Sequence, residues 1–258
     1  MHDSTRRFSD RVESYARYRP SYPEGLLRLL REECGLAPGV VVADVGSGTG
    51  ILSRLLLEHG ARVYGVEPNA EMREAGEKML AGYEDFTSVA GTAEATTLPE
   101  ASVQLVTAGQ AFHWFDRKRT REEFTRILKP GGYAVIAWNT PRYEASGFMR
   151  DYRRLLERFG TDWAKVNETR IDASSLVPFF GGEFEERRLE NRQNLDRAAL
   201  RGRLLSSSFV PGPGDPESGP MLEELTRIFD RHERGGEVVF EYAVRVYYGD
   251  PRQEQTGA

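Results

Sequence analysis

At residues 44–50 the chain reads Asp44-Val45-Gly46-Ser47-Gly48-Thr49-Gly50. The residues before this loop, from Val40 onward, are almost all β-branched or small, which predicts a strand buried on both faces. The residues after it repeat leucine and isoleucine at helical spacing as far as Gly60, which predicts a helix. Glycines let a backbone approach a ligand closely, and a helix N-terminus offers free N–H groups. The stretch therefore predicts an adenosine-nucleotide site.

The glycine loop disfavours two kinds of nucleotide site. A dinucleotide-binding loop has the pattern G-x-G-x-x-G, and here Ile51 stands where the third glycine would fall. A phosphate-binding P-loop ends in G-K-[ST], and no lysine lies in this turn. Glu67 ends the second predicted strand, where an acidic side chain accepts hydrogen bonds from ribose hydroxyls. The alternative for Glu67 is a solvated carboxylate at the end of a strand.

Strands and helices alternate on both sides of the loop, which predicts a parallel sheet with crossover helices. Asn69 and Asp116 are predicted to cap two of these helices, and Lys129-Pro130-Gly131-Gly132 is predicted to form a turn. The predicted strands are Val40–Val45, Arg62–Glu67, Phe86–Ala90, Val103–Ala108 and Tyr133–Trp138.

After Trp138 the alternation breaks. Ser146–Phe159 is an amphipathic helix by its apolar spacing, and the stretch to Gly182 is irregular, which indicates a cap inserted between strands. The remaining predicted elements are a strand over Phe184–Asn191, a helix over Asp196–Leu205, a loop over Pro211–Pro220, a helix marked by Leu222, Leu225, Ile228 and Phe229, and a strand alternating from Val238 to Val246.

Several segments then agree, in order, with a known family. They are Asp44–Gly50, Val66-Glu67-Pro68, Gly91-Thr92-Ala93-Glu94, Leu98-Pro99, Gln110-Ala111-Phe112-His113-Trp114-Phe115 and Ile127–Gly132. They resemble the S-adenosylmethionine (SAM) site of class I methyltransferases. Together with Tyr18-Arg19-Pro20-Ser21-Tyr22-Pro23 they resemble the small-molecule branch that includes trans-aconitate-type methyltransferases. The likeness runs from about residue 8 to residue 139 and resumes weakly at Ser206-Ser207-Ser208.

The resemblance implies a fold and a division of the chain. The fold class would be α/β, with a Rossmann-like sheet, helices on both faces, an antiparallel final strand and an inserted helical cap. The expected parts are an N-terminal helical lid (1–36), a SAM-binding core (37–139), the cap (140–182), a C-terminal completion of sheet and cap (183–249) and a disordered tail (250–258).

The resemblance also assigns roles within the cofactor site. Gly46, Ser47 and Gly48 would line the methionine and ribose of SAM, and Glu67 would hold the ribose. Asp44 would hold the loop or meet the amino group of SAM. The other implied cofactor residues are Pro68 and Met72 at the adenine face, Thr92, Ala93 and Glu94 at the adenine edge, Gln110 and Ala111 beside the amino-acid portion, and Tyr15 and Arg19 folded over SAM. Core packing for Met72 and a surface position for Tyr15 and Arg19 are the alternatives.

His113 is the candidate catalytic residue. It lies at the end of the fourth predicted strand, where it would take a proton from the methyl acceptor. The alternative is a structural histidine, because methyl transfer often needs no base and proceeds by positioning and desolvation. The product of SAM would be S-adenosylhomocysteine (SAH).

Composition narrows the partners. A net charge of −5 disfavours broad capture of nucleic acid, the single cysteine Cys34 fits a cytoplasmic location, and no apolar run is long enough to cross a bilayer. The four histidines show no ligand spacing, so no metal is expected. We expect a small-molecule acceptor and a monomer or homodimer. A SAM-binding protein without turnover and a macromolecular acceptor stay open.

The acceptor pocket is expected under the cap. Its arginines would suit an acidic acceptor, or would form a solvated face; they are Arg150, Arg153, Arg154 and Arg158. Aromatic residues indicate a partly apolar pocket; they are Trp138, Tyr143, Phe148, Trp163, Phe179 and Phe180.

Overall fold

The structure is a computed structural model, and it describes residues 18–161, 176–212 and 214–252. Its strands are β1 (Val41–Val45), β2 (Arg62–Val66), β3 (Phe86–Val89), β4 (Val103–Gly109), β5 (Leu128–Pro141), β6 (Glu185–Leu195) and β7 (Val238–Gly249). Its helices are α1 (Glu24–Cys34), α2 (Ile51–Leu57), α3 (Ala70–Leu80), α4 (Arg117–Ile127), α5 (Gly147–Phe159), α6 (Val177–Phe180), α7 (Arg197–Leu205) and α8 (Ser218–His232).

The strands form one sheet in the order β3-β2-β1-β4-β5-β7-β6. β1 to β5 pair in parallel, whereas β7 pairs antiparallel with β5 and with β6. The α/β class and the antiparallel final strand are therefore confirmed. Because β1 and β4 are neighbours although β2 and β3 intervene in the sequence, the chain reverses direction across the sheet between them. Open α/β sheets bind ligands above such a point, at the carboxyl ends of the strands.

Helices cover both faces of the sheet. On one face, leucines of α1 and α2 pack on Val42, Leu105 and Val135, and we call this group the first core. On the other face, phenylalanines of α4 and α6 pack on Val45 and Val106, and we call this group the second core. The helix assigned to a lid, α1, instead buries Leu26, Leu27 and Leu30 against the sheet, because these residues fall on one stripe. Residues 1–17 lie outside the described residues.

The cap has a core of its own, which we call the cap core. It joins α5, α7, α8 and the first half of β7, with Tyr152, Leu204, Ile228 and Phe240 buried. The helix predicted at Ser146–Phe159 is confirmed, and the Ser146 hydroxyl caps it by accepting from the Met149 N–H at 3.3 Å. The cap thus draws its helices from residues on both sides of β6, beyond the predicted 140–182. Residues 162–175 lie outside the described residues.

Some predicted boundaries are wrong. The turn predicted at Lys129–Gly132 lies inside β5, where the pairing register with β4 shifts between Leu128 and Tyr133 and Gly131 has φ +77°. The residues form an irregularity in the strand, because β5 continues to pair on both sides of it. The loop predicted over Pro211–Pro220 ends early, since α8 begins at Ser218 and a proline is tolerated in a first helical turn.

The last described residues are ordered, although the sequence assigned them to a disordered tail. Arg252 donates to the carbonyl of Lys129 at 2.9 Å and to that of Gly132 at 3.4 Å. It also pairs with Asp250 at 2.7 Å. These contacts attach residues 250–252 to the irregularity in β5. Residues 253–258 lie outside the described residues.

Candidate cofactor and acceptor site

The glycine loop between β1 and α2 is held against β2. The N–H groups of Gly46 and Ser47 both donate to the carbonyl of Val66, at 2.8 and 3.2 Å. Gly46 has φ +69°, and a Cβ there would lie 2.5 Å from the Cβ of Ala111. Two real carbon atoms do not approach so closely, so only glycine fits this position. Gly46, Ser47 and Ala111 are therefore brought together, as the sequence predicted for neighbouring parts of one site.

Glu67 ties the loop to the start of α3. Its Oε2 accepts from the Gly48 N–H and its Oε1 from the Asn69 N–H, both at 2.9 Å. The side chain is buried, and burial raises the pKa of Glu67 although both hydrogen bonds act in the opposite direction. A carboxylate offers about four acceptor positions, so these bonds leave capacity for two ligand hydroxyls. Asn69 caps α3 as predicted by accepting from the Met72 N–H at 2.9 Å.

Asp44 is fully buried at the end of β1. Its carboxylate accepts from the Ser53 hydroxyl at 2.6 Å and from the Thr107 hydroxyl at 3.0 Å, which ties α2 and β4 to β1. Burial raises the pKa of Asp44 to about 6, and the two hydroxyl hydrogen bonds oppose that shift. These bonds fix the end of β1, where the glycine loop begins two residues later, to α2 and β4.

Of the residues predicted at the adenine side, Met72 packs against the glycine loop, and Thr92, Ala93 and Glu94 form a separate turn. Met72 is buried, and its Cε lies 3.3 Å from the position that a Cβ on Gly48 would take. Thr92 pairs with Ala95 across a short turn that buries Ala93. Glu94 Oε1, however, accepts from the Asp116 N–H at 2.8 Å and so fixes this turn to the start of α4.

Pro68 is exposed between β2 and α3, and its carbonyl lies 3.4 Å from the Arg73 guanidinium. Its ring is therefore on the open side of the loop, as a residue at the adenine face would be.

Gln110 adopts a backbone conformation that residues other than glycine rarely adopt. Its φ is +59°, its N–H donates to the carbonyl of Ala137 at 3.0 Å, and its Nε2 donates to that of Asn139 at 2.8 Å. Strain of this kind collects at functional sites, where the surroundings enforce it. The side chain is directed along β5, away from the glycine loop, so Gln110 joins the cofactor edge to the acceptor side.

The N-terminal segment crosses the carboxyl ends of β5 and β6 beside the start of the antiparallel β7. The Arg19 Nη2 donates to the carbonyl of Ser206 at 3.1 Å, and the carbonyl of Tyr18 accepts from the Gln193 side chain at 3.2 Å. The ring of Tyr18 occupies the space where a Cβ on Gly202 would lie. Arg19 is thus placed against the turn after α7, on the acceptor side of the cleft. Tyr15 lies outside the described residues.

Residues 43–136 match the family model described as a methyltransferase domain, and this match covers β1 to β5 with the glycine loop and Glu67. The chain carries a methyltransferase domain. Its fold is that of class I methyltransferases.

Two similar proteins show how far the likeness extends. The chain is 36% identical over 158 residues to an uncharacterized methyltransferase of Mycobacterium bovis, which covers 61% of this chain and 62% of that protein. It is 30% identical over 156 residues to an uncharacterized methyltransferase-like protein of Schizosaccharomyces pombe, covering 60% and 59%. The chain therefore spans about three fifths of the curated relatives that it matches.

Solved structures match over more of the chain. A candidate type II methyltransferase from Anaeromyxobacter dehalogenans superposes with a TM-score of 0.66 at 25% identity, over 91% of this chain and 98% of that one. A candidate methyltransferase from an antibiotic biosynthesis pathway of Anabaena variabilis has a TM-score of 0.60 at 20% identity, over 90% and 98%. The second likeness is one of fold. Both extend beyond the domain match into the cap.

In the methyltransferase domain, His113 lies in a short helical turn (Phe112–Trp114) after β4. Its ring is 4.5 Å from that of Trp114 and 5.2 Å from that of Trp138, measured between centroids. Phe112 is buried in the second core, whereas the ring of Phe115 lies 3.3 Å from the Cβ position of Gly46. Phe115, rather than Phe112, therefore borders the cofactor loop.

The acceptor side of the domain differs from the sequence-based expectation. Phe179 and Phe180 lie in the second core under the sheet, and Phe148 lies in the cap core, so these three rings do not line a pocket over the cofactor. Trp138 and Tyr143 are partly buried, and Trp163 lies outside the described residues. The aromatic pocket was predicted from residue type, which does not distinguish a pocket wall from a core.

The arginines of the cap helix form a solvated face. Arg153 pairs with Glu144 and Glu157 at 2.7 Å, and Arg154 pairs with Asp151 at 2.9 Å. Arg150 is also exposed, and Arg158 lies over the ring of its neighbour Phe159. Exposed and paired guanidinium groups have little left to offer an acceptor.

Two charged residues that sequence reasoning missed are buried at the edges of this site. Glu123 on α4 accepts from the N–H and the hydroxyl of Thr96, at 2.8 and 2.5 Å, and pairs with Arg126. It thereby anchors the loop that contains the adenine-side turn. Arg203 on α7 is buried in the cap, with its Nε donating to the Tyr242 hydroxyl at 3.1 Å.

The described residues add two negative findings. None of their helices is long and apolar enough to span a membrane. Within the same three ranges, no group of three His, Cys, Asp or Glu side chains is arranged to hold a metal ion.

Proposed function

We propose that this protein transfers the methyl group of SAM to a small-molecule acceptor that binds under the cap. The observation that carries the proposal is the geometry of Glu67, whose carboxylate is fixed by the Gly48 and Asn69 N–H groups at the end of β2. An acidic residue in this place, beside a glycine loop in which Gly46 has no room for a side chain, suits a ribose that carries both hydroxyls. A 2′-phosphate would be repelled there.

The residues present fit SAM. Gly46, Ser47 and Gly48 would hold its methionine and ribose portions, because a Cβ at Gly46 would collide with Ala111 and push the loop out of place. Thr49 adds a buried hydroxyl oxygen that has no hydrogen-bond partner among the described residues. Pro68 and Met72 would pack on the adenine, and the proposed remaining contacts are those of Thr92, Ala93, Glu94, Gln110, Ala111, Asp44 and Tyr15. Arg19, which the resemblance placed over SAM, lies on the acceptor side instead.

SAM supplies a methyl group on a positively charged sulfur that leaves as a neutral thioether. The protein's contribution is to align the acceptor atom with that methyl group and to exclude water. Phe115 borders the loop and the Gln110 backbone is held in a strained conformation, so the edge where β4 ends is rigid. We propose that this fixed placement of the reacting groups is the main reason why methyl transfer is accelerated.

We propose His113 as the group that accepts a proton from the acceptor. Its place in the turn after β4, between two tryptophan rings, fixes the direction of its imidazole. His113→Asn should lower kcat and flatten the pH profile of kcat while leaving SAH affinity unchanged. A variant with unchanged kcat would show that the residue only positions the turn.

A small acceptor is supported by the cap and by charge. The cap helices and the N-terminal segment cover the carboxyl ends of β5 and β6 and the start of β7, and the chain has a net charge of −5. A polyanionic nucleic acid would meet a surface of the wrong sign. The trans-aconitate-type branch remains a prediction from the sequence motifs.

The test uses full-length protein with SAM labelled in the methyl group. Calorimetry first compares SAM and SAH with NAD, which should not bind. The protein and the labelled SAM are then added to a whole-cell extract that contains both small molecules and macromolecules, and ultrafiltration separates small products from macromolecules. Label in the small-molecule fraction supports the proposal. Label on protein or nucleic acid overturns the acceptor class, and tight SAM binding without any SAH formation identifies a binding protein without turnover.

A further inference from the structure

Arg203 places a positive charge in the cap, and no carboxylate in the described part of the chain pairs with it. The side chain is 6% exposed, its Nε donates to the Tyr242 hydroxyl at 3.1 Å, and its Nη1 donates to the Ser207 hydroxyl at 3.4 Å. Its guanidinium also lies 5.3 Å from the centroid of the Phe240 ring. All of its partners are uncharged.

The guanidinium remains charged in this setting. Burial by itself would lower the pKa of Arg203, but the phenols of Tyr242 and Tyr152 outweigh it and raise that pKa above its ordinary value. A buried charge without a partner of opposite sign is costly, and proteins pair such charges almost everywhere. The cap therefore holds a positive group that an anion would stabilise.

A second guanidinium lies nearby. Arg19 donates to the carbonyl of Ser206, three residues after Arg203 on the same turn. Tyr152 is fully buried, which raises its pKa to about 12, and the charges of Arg203 and Arg19 both act to lower it. Both positive groups are therefore near the same hydroxyl, and the N-terminal segment and α7 meet there.

Tyr242, the hydrogen-bond partner of Arg203, lies on the same face of the sheet as Asp44, which precedes the glycine loop. Val42 of β1 and Val244 of β7 both belong to the first core. Asp44 and Tyr242 each lie two residues from them along a strand, so they share that face.

Tyr242 and Arg203 also lie beyond the ends of the parallel strands. The last residue of β4, Gly109, pairs with Ala137, whereas Tyr242 pairs with Pro141. Four residues of β-strand separate these levels, which corresponds to about 13 Å. The arginines thus lie above the carboxyl edge of the sheet, at the acceptor end of the cleft and away from the glycine loop.

We propose that Arg203, assisted by Arg19, binds a carboxylate group of the methyl acceptor. The inference rests on the proposed function and narrows its substrate class to small organic acids. A guanidinium presents N–H groups in a planar fork that matches the two oxygens of a carboxylate. Arg153 and Arg154 of α5 already have carboxylate partners, which distinguishes them from Arg203.

The test measures acid binding without turnover. Full-length protein saturated with SAH is titrated by calorimetry with acetate, succinate, benzoate and phenylacetate, with their methyl esters and with inorganic phosphate. At least one free acid should bind, its ester should bind about ten- to a hundredfold more weakly, and Arg203→Met should lose the same factor. The matched control is Arg201→Met, an exposed arginine on the same helix, which should bind like the wild type.

Three results would overturn the inference: no free acid binds, an acid binds Arg203→Met as well as the wild type, or Arg203→Met loses SAH affinity because the arginine serves the cofactor. Binding of phosphate in preference to every acid would also overturn the carboxylate assignment. If Arg203→Met fails to fold, the comparison of each acid with its methyl ester on the wild-type protein still shows whether the site binds a carboxylate. If an acid binds in an Arg203-dependent way but no methyl group is transferred, the proposed function is refuted and this inference stands. If methyl transfer occurs to a neutral acceptor and Arg203→Met leaves the KM for that acceptor unchanged, this inference is refuted and the proposed function stands.

Discussion

At the scale of single residues, the carboxylate of Glu67 is fixed before any ligand arrives, because the Gly48 and Asn69 N–H groups each take one of its oxygens. A glutamine in this place has one oxygen and one NH2 group, so an N–H donor of the loop would face another donor. Glu67→Gln should therefore raise the Kd for SAH about ten- to a hundredfold by calorimetry. Glu71→Gln, at an exposed position on α3, is the control, and equal Kd values would remove Glu67 from the site.

Asp44 makes stability depend on pH. Burial raises its pKa to about 6 in the folded protein from an ordinary value of 3.8. Below pH 4 the carboxyl is protonated in both states. Between pH 4 and 6 only the folded state keeps the proton, so the contribution of this group to stability falls as pH rises, by a total on the order of 3 kcal/mol.

Asp44→Asn removes this dependence. The stability of the variant relative to the wild type should rise between pH 4 and 6 and stay level above pH 7, on top of a constant loss from altered bonds to Ser53 and Thr107. Urea unfolding at a series of pH values measures the difference. Asp85→Asn, at an exposed carboxylate, is the control. A difference that does not change with pH would contradict the buried, shifted carboxyl.

Single residues were predictable from the sequence where a local motif contains all of their partners. Glu67, Asn69 and the glycine loop lie within a short stretch, and the sequence brought them together. Arg203 and Tyr242 are 39 residues apart, and Glu123 lies 27 residues after Thr96. A charged residue whose partners are so distant in the sequence is predicted to lie on the surface, because most charged residues are exposed.

At the scale of elements, the glycine loop combines backbone conformation with close packing, and two alanine variants separate these effects. Gly46 and Gly39 both have positive φ, at +69° and +82°. A Cβ on Gly39 would meet no atom within 4 Å, whereas one on Gly46 would lie 2.5 Å from Ala111. Both variants should lose about 1–2 kcal/mol for the backbone conformation.

Only Gly46→Ala should lose SAH binding as well, by at least about tenfold, because its loop must shift out of place. Unfolding in urea gives the stability of each variant and calorimetry gives the Kd. Equal SAH affinity in the two variants would show that the close approach to Ala111 has no part in holding the cofactor.

Elements were predictable where periodicity and capping agree, and they were misplaced where tertiary pairing decides. Asn69 and Asp116 cap helices as predicted, since a cap needs only neighbours in the chain. The turn at Lys129–Gly132 was misread because pairing with β4 resumes after it. The rings of Phe179 and Phe180 were misassigned because only the three-dimensional packing shows that they cover the second core.

At the scale of the whole molecule, β7 connects the cap to the sheet. Its first half contributes Val238, Phe240 and Tyr242 to the cap core, and its second half contributes Val244 and Val246 to the first core. β6 pairs with β7 along both halves, from Leu195 opposite Val238 to Glu185 opposite Tyr248. Since one pair of strands passes through both cores, we expect the cap and the sheet to unfold together.

Phe240→Ala tests this coupling. The ring is fully buried in the cap core, and its loss should cost about 3–5 kcal/mol through the cavity that it leaves. Calorimetry should show one transition that moves to lower temperature as a unit, and SAH should raise its midpoint in both proteins. Val239→Ala, at the neighbouring exposed position, should cost under about 1 kcal/mol. A second transition, with only one of the two displaced by Phe240→Ala, would mean that the cap folds independently. The acceptor side would then open without disturbing the cofactor loop.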